Sequence, residues 1–188
     1  MENSHQHYFK SSEYSRTTIT ELMIPSYANF GGKIHGGILL SMMDKAAYAC
    51  ATKHSACYCV TVSVDTVDFL QPVEVGDLVS LKASINYVGK SSMVIGIKVI
   101  AENVKVGVVK HTNSSYFTMV AKDEHDKPTA VPGLILENQE DVRRFVEAIE
   151  RRKLKKAQQL EMDEARPHFD LDEACKSLAG QRCQIKLK

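Results

Sequence analysis

Apolar and polar residues alternate along four successive segments in the middle of the chain, and this alternation limits the fold more than any other feature. In LVSLKASINY (78–87) the apolar side chains share one face and the polar ones share the other, which is typical of a half-buried antiparallel strand. The segments SMVIGIKVIA (92–101) and VGVVKHTNSSYFTMVA (106–121) repeat the pattern. The sequence therefore predicts long antiparallel strands, with turn signals at Val75-Gly76-Asp77, Gly89-Lys90 and Asn103.

The first of the four segments, CVTVSVDTVDFL (59–70), changes parity halfway. Its first three valines after Cys59 share one face, but the apolar positions then move to Val67 and Phe69. One extra residue in a strand produces such a shift. The sequence therefore predicts a β-bulge near Asp65 and Thr66.

A single helix is predicted ahead of these strands. The apolar residues of Ile38–Cys50 fall on every side of a helical wheel, which predicts a helix that is buried all round. A short strand candidate, Thr17–Ile24, precedes it. One buried helix with a strand before it and four after it predicts an antiparallel sheet wrapped around a central helix, an α+β fold.

A length of 188 residues allows one domain with an appendage. We expect a polar lead-in at residues 1–16, a folded domain at 17–132 and a charged, mainly helical extension at 133–188. Between Glu140 and Arg166 the chain carries 15 charges, 8 basic and 7 acidic, with apolar residues at helical spacing. This pattern predicts an amphipathic helix, and DLDEACKSLAG predicts a second, short helix capped by Asp170.

Charge gives no indication of a polyanionic partner. The 24 basic and 23 acidic residues leave a net charge of +1, so we expect neither nucleic-acid nor membrane binding. The sequence has no apolar core of a signal peptide and no run long enough to cross a bilayer, which favours a cytoplasmic protein. The five cysteines, with Cys57 and Cys59 two apart on a predicted strand, are expected to be reduced thiols rather than metal ligands.

Asp44 is the least expected residue of the predicted helix. Burying an unpaired carboxylate among apolar side chains costs several kcal/mol, so it needs a partner or a function. One alternative is that Asp44 caps a neighbouring backbone group or pairs with Lys45 at the surface. The other is a carboxylate that faces a cleft and either takes a proton from water or attacks a carbonyl carbon.

Four glycines, Gly31, Gly32, Gly36 and Gly37, lie just before this helix. A helix N-terminus offers unpaired N–H groups that can hold an oxyanion. The alternative is a tight loop that needs glycine for its backbone angles. The spacing is not that of a nucleotide-binding P-loop, because the Gly-Lys-Ser/Thr ending is missing there.

The chain from about Thr17 to Pro132 resembles the hot-dog fold acyl-CoA thioesterases, in particular the broad-specificity acyl-CoA hydrolases. The resemblance rests on PSYANFGGKIHGGILLSMMDKAA, VTVSVDTVDFLQPVEVGDLV, YVGKSSM and SSYFTMVA in this order. It implies a sheet around a central helix, edge-to-edge dimers that commonly form hexamers as trimers of dimers, and hydrolysis of acyl-CoA to coenzyme A and a fatty acid in fatty acid metabolism. It implies no cofactor and no metal.

The resemblance also implies roles for individual residues. Asn29 matches the active-site asparagine, Asp44 the helix carboxylate, and Gly37 the backbone N–H that polarises the thioester carbonyl. Asp44 then activates water or forms a transient anhydride, and the sequence leaves both routes open. Both Asn29 and Asp44 in one short chain imply a homodimer with two equivalent sites that use both subunits. His35 directly precedes the glycine pair and is expected to be structural.

The remaining implied contacts are with the substrate. GKSSM resembles the coenzyme A contact loop, in which Lys90 meets a phosphate and the two serines donate hydrogen bonds. Taken alone, the same residues are an ordinary hairpin turn. The full set of expected substrate contacts is Gly36, Thr66, Val88, Gly89, Lys90, Ser91 and Ser92.

Two other functions compete with hydrolysis. A hot-dog dehydratase or hydratase needs a histidine paired with an acid at the helix start, and no suitably placed histidine is evident. A non-catalytic acyl-CoA sensor needs the pocket but no chemistry, and the presence of both Asn29 and Asp44 disfavours it.

Overall fold

The computed structural model describes residues 8–165 and 169–187, and its main feature is an antiparallel sheet packed around one long helix. The elements are β1 (Phe9–Ser11), α1 (Ser12–Ser15), β2 (Thr17–Leu22), α2 (Gly36–Ser55), β3 (Tyr58–Val64), β4 (Leu78–Val88), β5 (Ser92–Asn103), β6 (Val108–Lys122), β7 (Gly133–Ile135), α3 (Gln139–Ala165) and α4 (Leu171–Ser177). A 3₁₀ turn, Pro25–Tyr27, lies between β2 and α2.

The main sheet has the strand order β2-β4-β5-β6-β3, and every neighbouring pair is antiparallel. The helix α2 contacts all five strands. The α+β hot-dog fold predicted from the sequence is therefore confirmed, including the central helix. Because β3 ends the sheet, no strand of the described residues lies beside its outer edge.

The prediction that α2 is buried on all sides is wrong. One face of the helix is buried against the sheet, with Met43, Ala46, Ala47 and Cys50 fully enclosed. The opposite side is exposed along a stripe formed by Gly37, Ser41, Asp44, Lys45 and Tyr48. These positions recur every three to four residues, so at 3.6 residues per turn they fall on one side of the helix.

The predicted bulge at Asp65 and Thr66 is also wrong. The register between β3 and β6 shifts earlier, between Thr61 and Ser63, and the strand ends at Val64. The parity changes because the chain leaves the regular ladder after Val64. The segment stays bonded to β6, since the Asp65 N–H donates to the Tyr116 carbonyl and the Leu70 N–H donates to the Thr112 carbonyl, both at 2.9 Å.

The sheet face turned away from α2 is partly covered by the start of α3. Arg144 donates a 3.2 Å hydrogen bond to the Ser84 hydroxyl, and the rings of Tyr87 and Phe145 lie 5.0 Å apart. Ser84 and Asn86, on the polar face of β4, are therefore buried. The alternating pattern alone predicts that this polar face is exposed to solvent, but in the structure part of it is buried.

The chain forms two compact units, residues 1–148 and 149–188. In the first unit, β1 pairs in parallel with β7. The N-terminal residues Phe9–Ser11, which show no recognisable sequence pattern, are therefore held in place by Gly133–Ile135. The helical character of the C-terminal extension is confirmed: Asp170 caps α4 by accepting from the Glu173 N–H at 2.9 Å. Arg166 lies outside the described residues, and the domain boundaries at residues 16 and 132 stay a prediction. None of the described helices is long and apolar enough to span a membrane.

A buried histidine links α2 to the N-terminal segment. His54 is fully buried, with Nδ1 3.3 Å from the Ser15 hydroxyl and Nε2 3.1 Å from the Pro132 carbonyl oxygen. Lys10 donates to the His54 carbonyl at 2.7 Å. Burial is the main cause and lowers the pKa of His54. The hydrogen bond to the Pro132 carbonyl opposes this shift in part, and the nearby positive charge of Lys10 adds a smaller lowering effect.

We expect this histidine to make stability depend on pH. The unfolded chain binds the proton near pH 6.5, above the lowered folded-state pKa, so the free energy of unfolding is at its full value above about pH 6.5 and falls below it. Urea unfolding at about pH 7.5 and 5.5 measures this loss. The loss should shrink in His54→Gln but persist in His125→Gln, which changes an exposed histidine. Equal losses in all three proteins would show that His54 is not responsible.

Candidate active site

Asp44 lies on the exposed stripe of α2, not in the core. Its Oδ1 accepts a 2.6 Å hydrogen bond from the hydroxyl of Thr61 on the edge strand β3. The sequence expectation of a carboxylate buried among apolar side chains is therefore corrected, because the apolar residues around Asp44 face the other way. The hydroxyl fixes one carboxylate oxygen and leaves the second free to meet a substrate.

Gly37 is at the start of the same stripe. Its N–H donates a 2.9 Å hydrogen bond to Nδ1 of His35, the N-cap residue of α2. The His35 N–H in turn donates to the Tyr27 carbonyl at 2.8 Å, which fixes the entry to the helix. The Tyr27 hydroxyl donates to Glu21, and this bond raises the pKa of the phenol. His35 thus has the structural role expected from the sequence, and an oxyanion would have to replace its ring at Gly37.

Gly37 and Asp44 lie on the same side of α2 but at different heights. They are seven residues apart, which is about 10 Å along the axis at about 1.5 Å per residue. A carbonyl group held by the Gly37 N–H at hydrogen-bond distance is then out of reach of Asp44 in the same chain.

Asn29 lies beside the same cavity as Gly36, near the start of α2. Its side-chain Oδ1 accepts from the backbone N–H groups of Gly31 at 2.9 Å and Lys33 at 3.2 Å. These bonds close a turn in which Gly32 has φ +76°, an angle that favours glycine. Since Oδ1 is occupied by two donors, the Nδ2 amide is the group that remains for a substrate, and it is a donor.

A largely apolar cavity of about 410 Å³ opens beside Asn29. Gly36, Leu39, Phe69 and Leu70 are among its lining residues. The Phe69 ring packs on Gly36 so closely that a Cβ there would come within 3.0 Å of it. The structure thus brings Asn29 and Gly36 together around an apolar space, and Phe69 and Leu70 are wall residues that the sequence reasoning did not find.

The predicted coenzyme A loop is the turn between β4 and β5. The Gly89 N–H donates to the Ser92 carbonyl at 2.7 Å, and Lys90 at the tip is exposed. Lys90 takes part in no ion pair within residues 8–165 and 169–187. In register, Met93 at the start of β5 lies beside Met119, which lies beside Thr61. Met93, the residue after Ser92, is therefore about two strand spacings, about 10 Å, from Thr61, and Lys90 lies three residues before Met93.

Two other predicted contacts, one beside this loop and one after β3, show no feature that assigns them to a substrate. Val88 packs against the core, and Thr66 is exposed two residues beyond the end of β3. Their substrate roles stay predictions. The threonine that contacts Asp44 is Thr61, which the sequence reasoning missed. Its signal was available, since Thr61 occupies a polar position of the alternating segment, but the facing helix residue could not be known from it.

The described residues hold no group of three or more His, Cys, Asp or Glu side chains arranged to bind a metal ion. The cysteines are all free thiols. The chemistry available at these residues is that of a carboxylate, backbone and side-chain N–H donors, and a cation at the loop.

Comparison with known proteins places these residues in a family context. Residues 31–108 match the model of the thioesterase superfamily. The protein VdlD of Helicobacter pylori is 40% identical over 159 residues, covering 82% of this chain and 91% of the relative. An uncharacterised acyl-CoA thioester hydrolase of Bacillus subtilis, YkhA, is 34% identical, covering 73% of this chain and 80% of the relative.

Solved structures similar to this chain include acyl-CoA thioesterases. A hexameric acyl-CoA thioesterase without ligand superposes with a TM-score of 0.78 at 34% identity, covering 80% of this chain and 97% of that one. An acyl-CoA hydrolase of Staphylococcus aureus, in complex with butyryl coenzyme A and coenzyme A, has a TM-score of 0.76 at 30% identity, covering 85% and 98%. Structures of the latter include variants with an aspartate, an asparagine or a threonine replaced by alanine.

Proposed function

The chain belongs to the thioesterase superfamily, and from this premise we propose that it is an acyl-CoA hydrolase that releases a free fatty acid and coenzyme A. The observation that carries the proposal is the Asp44–Thr61 pair, because a reachable carboxylate with one oxygen held in place can serve as the base or nucleophile in thioester hydrolysis. The aspartate, asparagine and threonine variants of the Staphylococcus aureus hydrolase support roles for the same residue types here.

In the proposed reaction the thioester carbonyl oxygen accepts from the Gly37 N–H and from Asn29 Nδ2. Both donors stabilise the negative charge that develops on this oxygen when the carbonyl carbon is attacked. Asp44 either takes a proton from the attacking water or attacks the carbon itself, forming an anhydride that water then opens. The C–S bond breaks in both routes, and the coenzyme A thiolate leaves and takes up a proton.

The two halves of this site come from two subunits. Gly37 and Asp44 lie about 10 Å apart on one side of α2, so a carbonyl cannot touch both in one chain. A two-fold axis across this stripe, with the two helices antiparallel, places Gly37 and Asn29 of one chain beside Asp44 and Thr61 of the other, and does so twice. This arrangement matches the homodimer with two equivalent sites that the sequence predicts.

The surface around the stripe supports such a dimer. Edge strand β3 carries exposed side chains at Tyr58, Val62 and Val64, with 58%, 56% and 43% of their surface exposed. Tyr48 on α2 packs against Tyr58, with ring centroids 6.3 Å apart. An unpaired strand edge with exposed valines is a site for strand pairing. Two solved relatives are described as hexameric, which supports a trimer of such dimers.

The apolar cavity beside Asn29 is proposed to receive the acyl chain. It begins at Gly36, next to the proposed oxyanion donor, and its walls include Leu39, Phe69 and Leu70. Its volume of about 410 Å³ lies within the range of small-molecule sites. Lys90, with Gly89, Ser91 and Ser92, is proposed to bind the phosphates of coenzyme A.

The test of this function is release of coenzyme A from a panel of acyl-CoAs, compared with acyl thioesters of N-acetylcysteamine, which lack phosphates. Wild type should hydrolyse acyl-CoA, and Lys90→Ala should lower kcat/KM for acyl-CoA by about tenfold, because one charge-assisted contact is lost. It should leave the phosphate-free thioester unaffected. Lys127→Ala, at an exposed lysine elsewhere, is the matched control.

Two outcomes of this assay would count against the proposal. If wild type binds acyl-CoA and releases no thiol, the chain is not a hydrolase. If Lys90→Ala loses activity equally on both thioesters, the lysine acts on the reacting end or on folding rather than on a phosphate. A cytoplasmic location stays a prediction, supported by relatives named cytosolic acyl coenzyme A thioester hydrolases.

A further inference from the structure

A second cavity, larger than the first, lies on the face of the sheet turned away from α2. Its volume is about 640 Å³. Side chains of β4, β5 and β6 form its floor, including Lys82, Asn86, Lys98 and Tyr116, and residues of the first turns of α3 form a wall. The sheet separates it from Asp44 and from the apolar cavity, so it is not part of the proposed active site.

Two like charges face each other on the floor. Lys82 on β4 and Lys98 on β5 are direct partners in the antiparallel register, and both are exposed. Like charges directly opposite each other on a sheet are destabilising. In the part of the chain that the structure describes, neither lysine forms an ion pair with a carboxylate.

The acidic residues of the cavity do not neutralise the two lysines, because these acidic residues are already paired with other groups. Glu140 accepts from Arg143 and Arg144, and the hydrogen bond from Arg143 chiefly lowers the pKa of Glu140 to about 2. Glu147 is bound to Arg143. Asp141 is buried and accepts from the Ser12 hydroxyl at 3.2 Å and from Asn138 at 3.1 Å. The positive charge of the lysines therefore faces the open cavity.

A buried amide completes the floor. Asn86 is 5% exposed, and its Oδ1 accepts from the Ser84 hydroxyl at 3.1 Å, which itself accepts from Arg144 at 3.2 Å. The Asn86 Nδ2 lies over Gly96, where a Cβ would come within 2.3 Å of it. Within residues 8–165 and 169–187 this Nδ2 donates to no acceptor. Asn86 lines the cavity, so a ligand oxygen there can accept a hydrogen bond from its Nδ2.

We propose that this cavity binds a small phosphorylated molecule. Lys82 and Lys98 meet the oxygens of a group that carries at least two negative charges, and Asn86 Nδ2 donates to a further oxygen. A phosphate ester fits because it offers several acceptor oxygens and about two charges in one group. The volume exceeds that of the phosphate alone, so the rest of the molecule lies against Tyr116 and the α3 wall.

Binding of pyrophosphate to the full-length protein, measured by titration calorimetry, tests the proposal. Wild type should bind saturably, and Lys82→Gln/Lys98→Gln should bind about tenfold more weakly or not at all, since two charge-assisted contacts are lost. Lys105→Gln/Lys127→Gln, which removes the same charge from exposed positions elsewhere, should bind as wild type does. Exposed lysine substitutions are expected to leave folding intact, which the melting temperature checks.

Two results would overturn the proposal. One is the absence of pyrophosphate binding, or binding that the Lys82/Lys98 substitutions leave unchanged. The other is a change of assembly mass by light scattering in that variant without any anion binding, which would assign the lysines to contacts between subunits. Titration in the presence of coenzyme A identifies the source of the phosphate: displacement indicates coenzyme A itself, and no displacement indicates a separate phosphorylated molecule.

Discussion

Replacing Asp44 by asparagine is expected to lower kcat for acyl-CoA hydrolysis by about a thousandfold, with KM little changed. The amide has the same shape but neither takes a proton at neutral pH nor attacks a carbonyl, and loss of a general base or nucleophile typically costs 10²-fold to 10⁴-fold. Asp44 is exposed in the single chain, so the variant should fold. Release of coenzyme A measures the effect, with a substrate-free blank because the chain has five cysteines.

Two neighbouring substitutions make this result specific. Lys45→Ala alters the next residue on the same exposed stripe and should retain nearly full activity. Thr61→Val removes the hydroxyl that holds Asp44 and should lower kcat by about tenfold, since the carboxylate remains but is less well placed. An Asp44→Asn protein that keeps more than a tenth of the wild-type kcat would rule out Asp44 as base or nucleophile.

Mixing two inactive variants is expected to restore activity if each site uses two chains. Asn29→Ala and Asp44→Ala each disable every site in their own homodimers. After subunits are exchanged at equal amounts, about a quarter of the sites should combine an intact Asn29 from one chain with an intact Asp44 from the other. The mixture should therefore recover about a quarter of the wild-type activity, far above either variant alone.

The control is each variant carried through the same exchange by itself, which should stay inactive. Mass spectrometry of the intact assemblies verifies that mixed dimers have formed. Mixed dimers without activity would place Asn29 and Asp44 of one chain in the same site. That outcome would contradict the two-chain arrangement while leaving the hydrolase activity itself to the direct assay.

Local pattern was sufficient for much of the fold. The alternation in residues 78–121 predicted β4, β5 and β6, and the apolar run after the glycines predicted α2, because side-chain periodicity follows directly from backbone geometry. The prediction from local pattern was wrong where the alternation changes phase within a segment. Residues 65–70 continue the apolar pattern in a new phase, but they lie beyond the end of the strand. The bulge was therefore predicted near Asp65 and Thr66, whereas the register shift lies between Thr61 and Ser63.

Sequence pattern was enough to predict the central helix and the long strands of the sheet, and to recognise the motif that contains Asn29, Gly37 and Asp44. Those features depend on residue types at short spacings. The folded molecule is needed to see which side of α2 is exposed, that Thr61 donates a hydrogen bond to Asp44, and that Lys82 is paired with Lys98 on the outer face of the sheet. Each of these depends on pairing between residues far apart in the chain, and strand register and helix rotation, which set that pairing, are properties of the packed molecule.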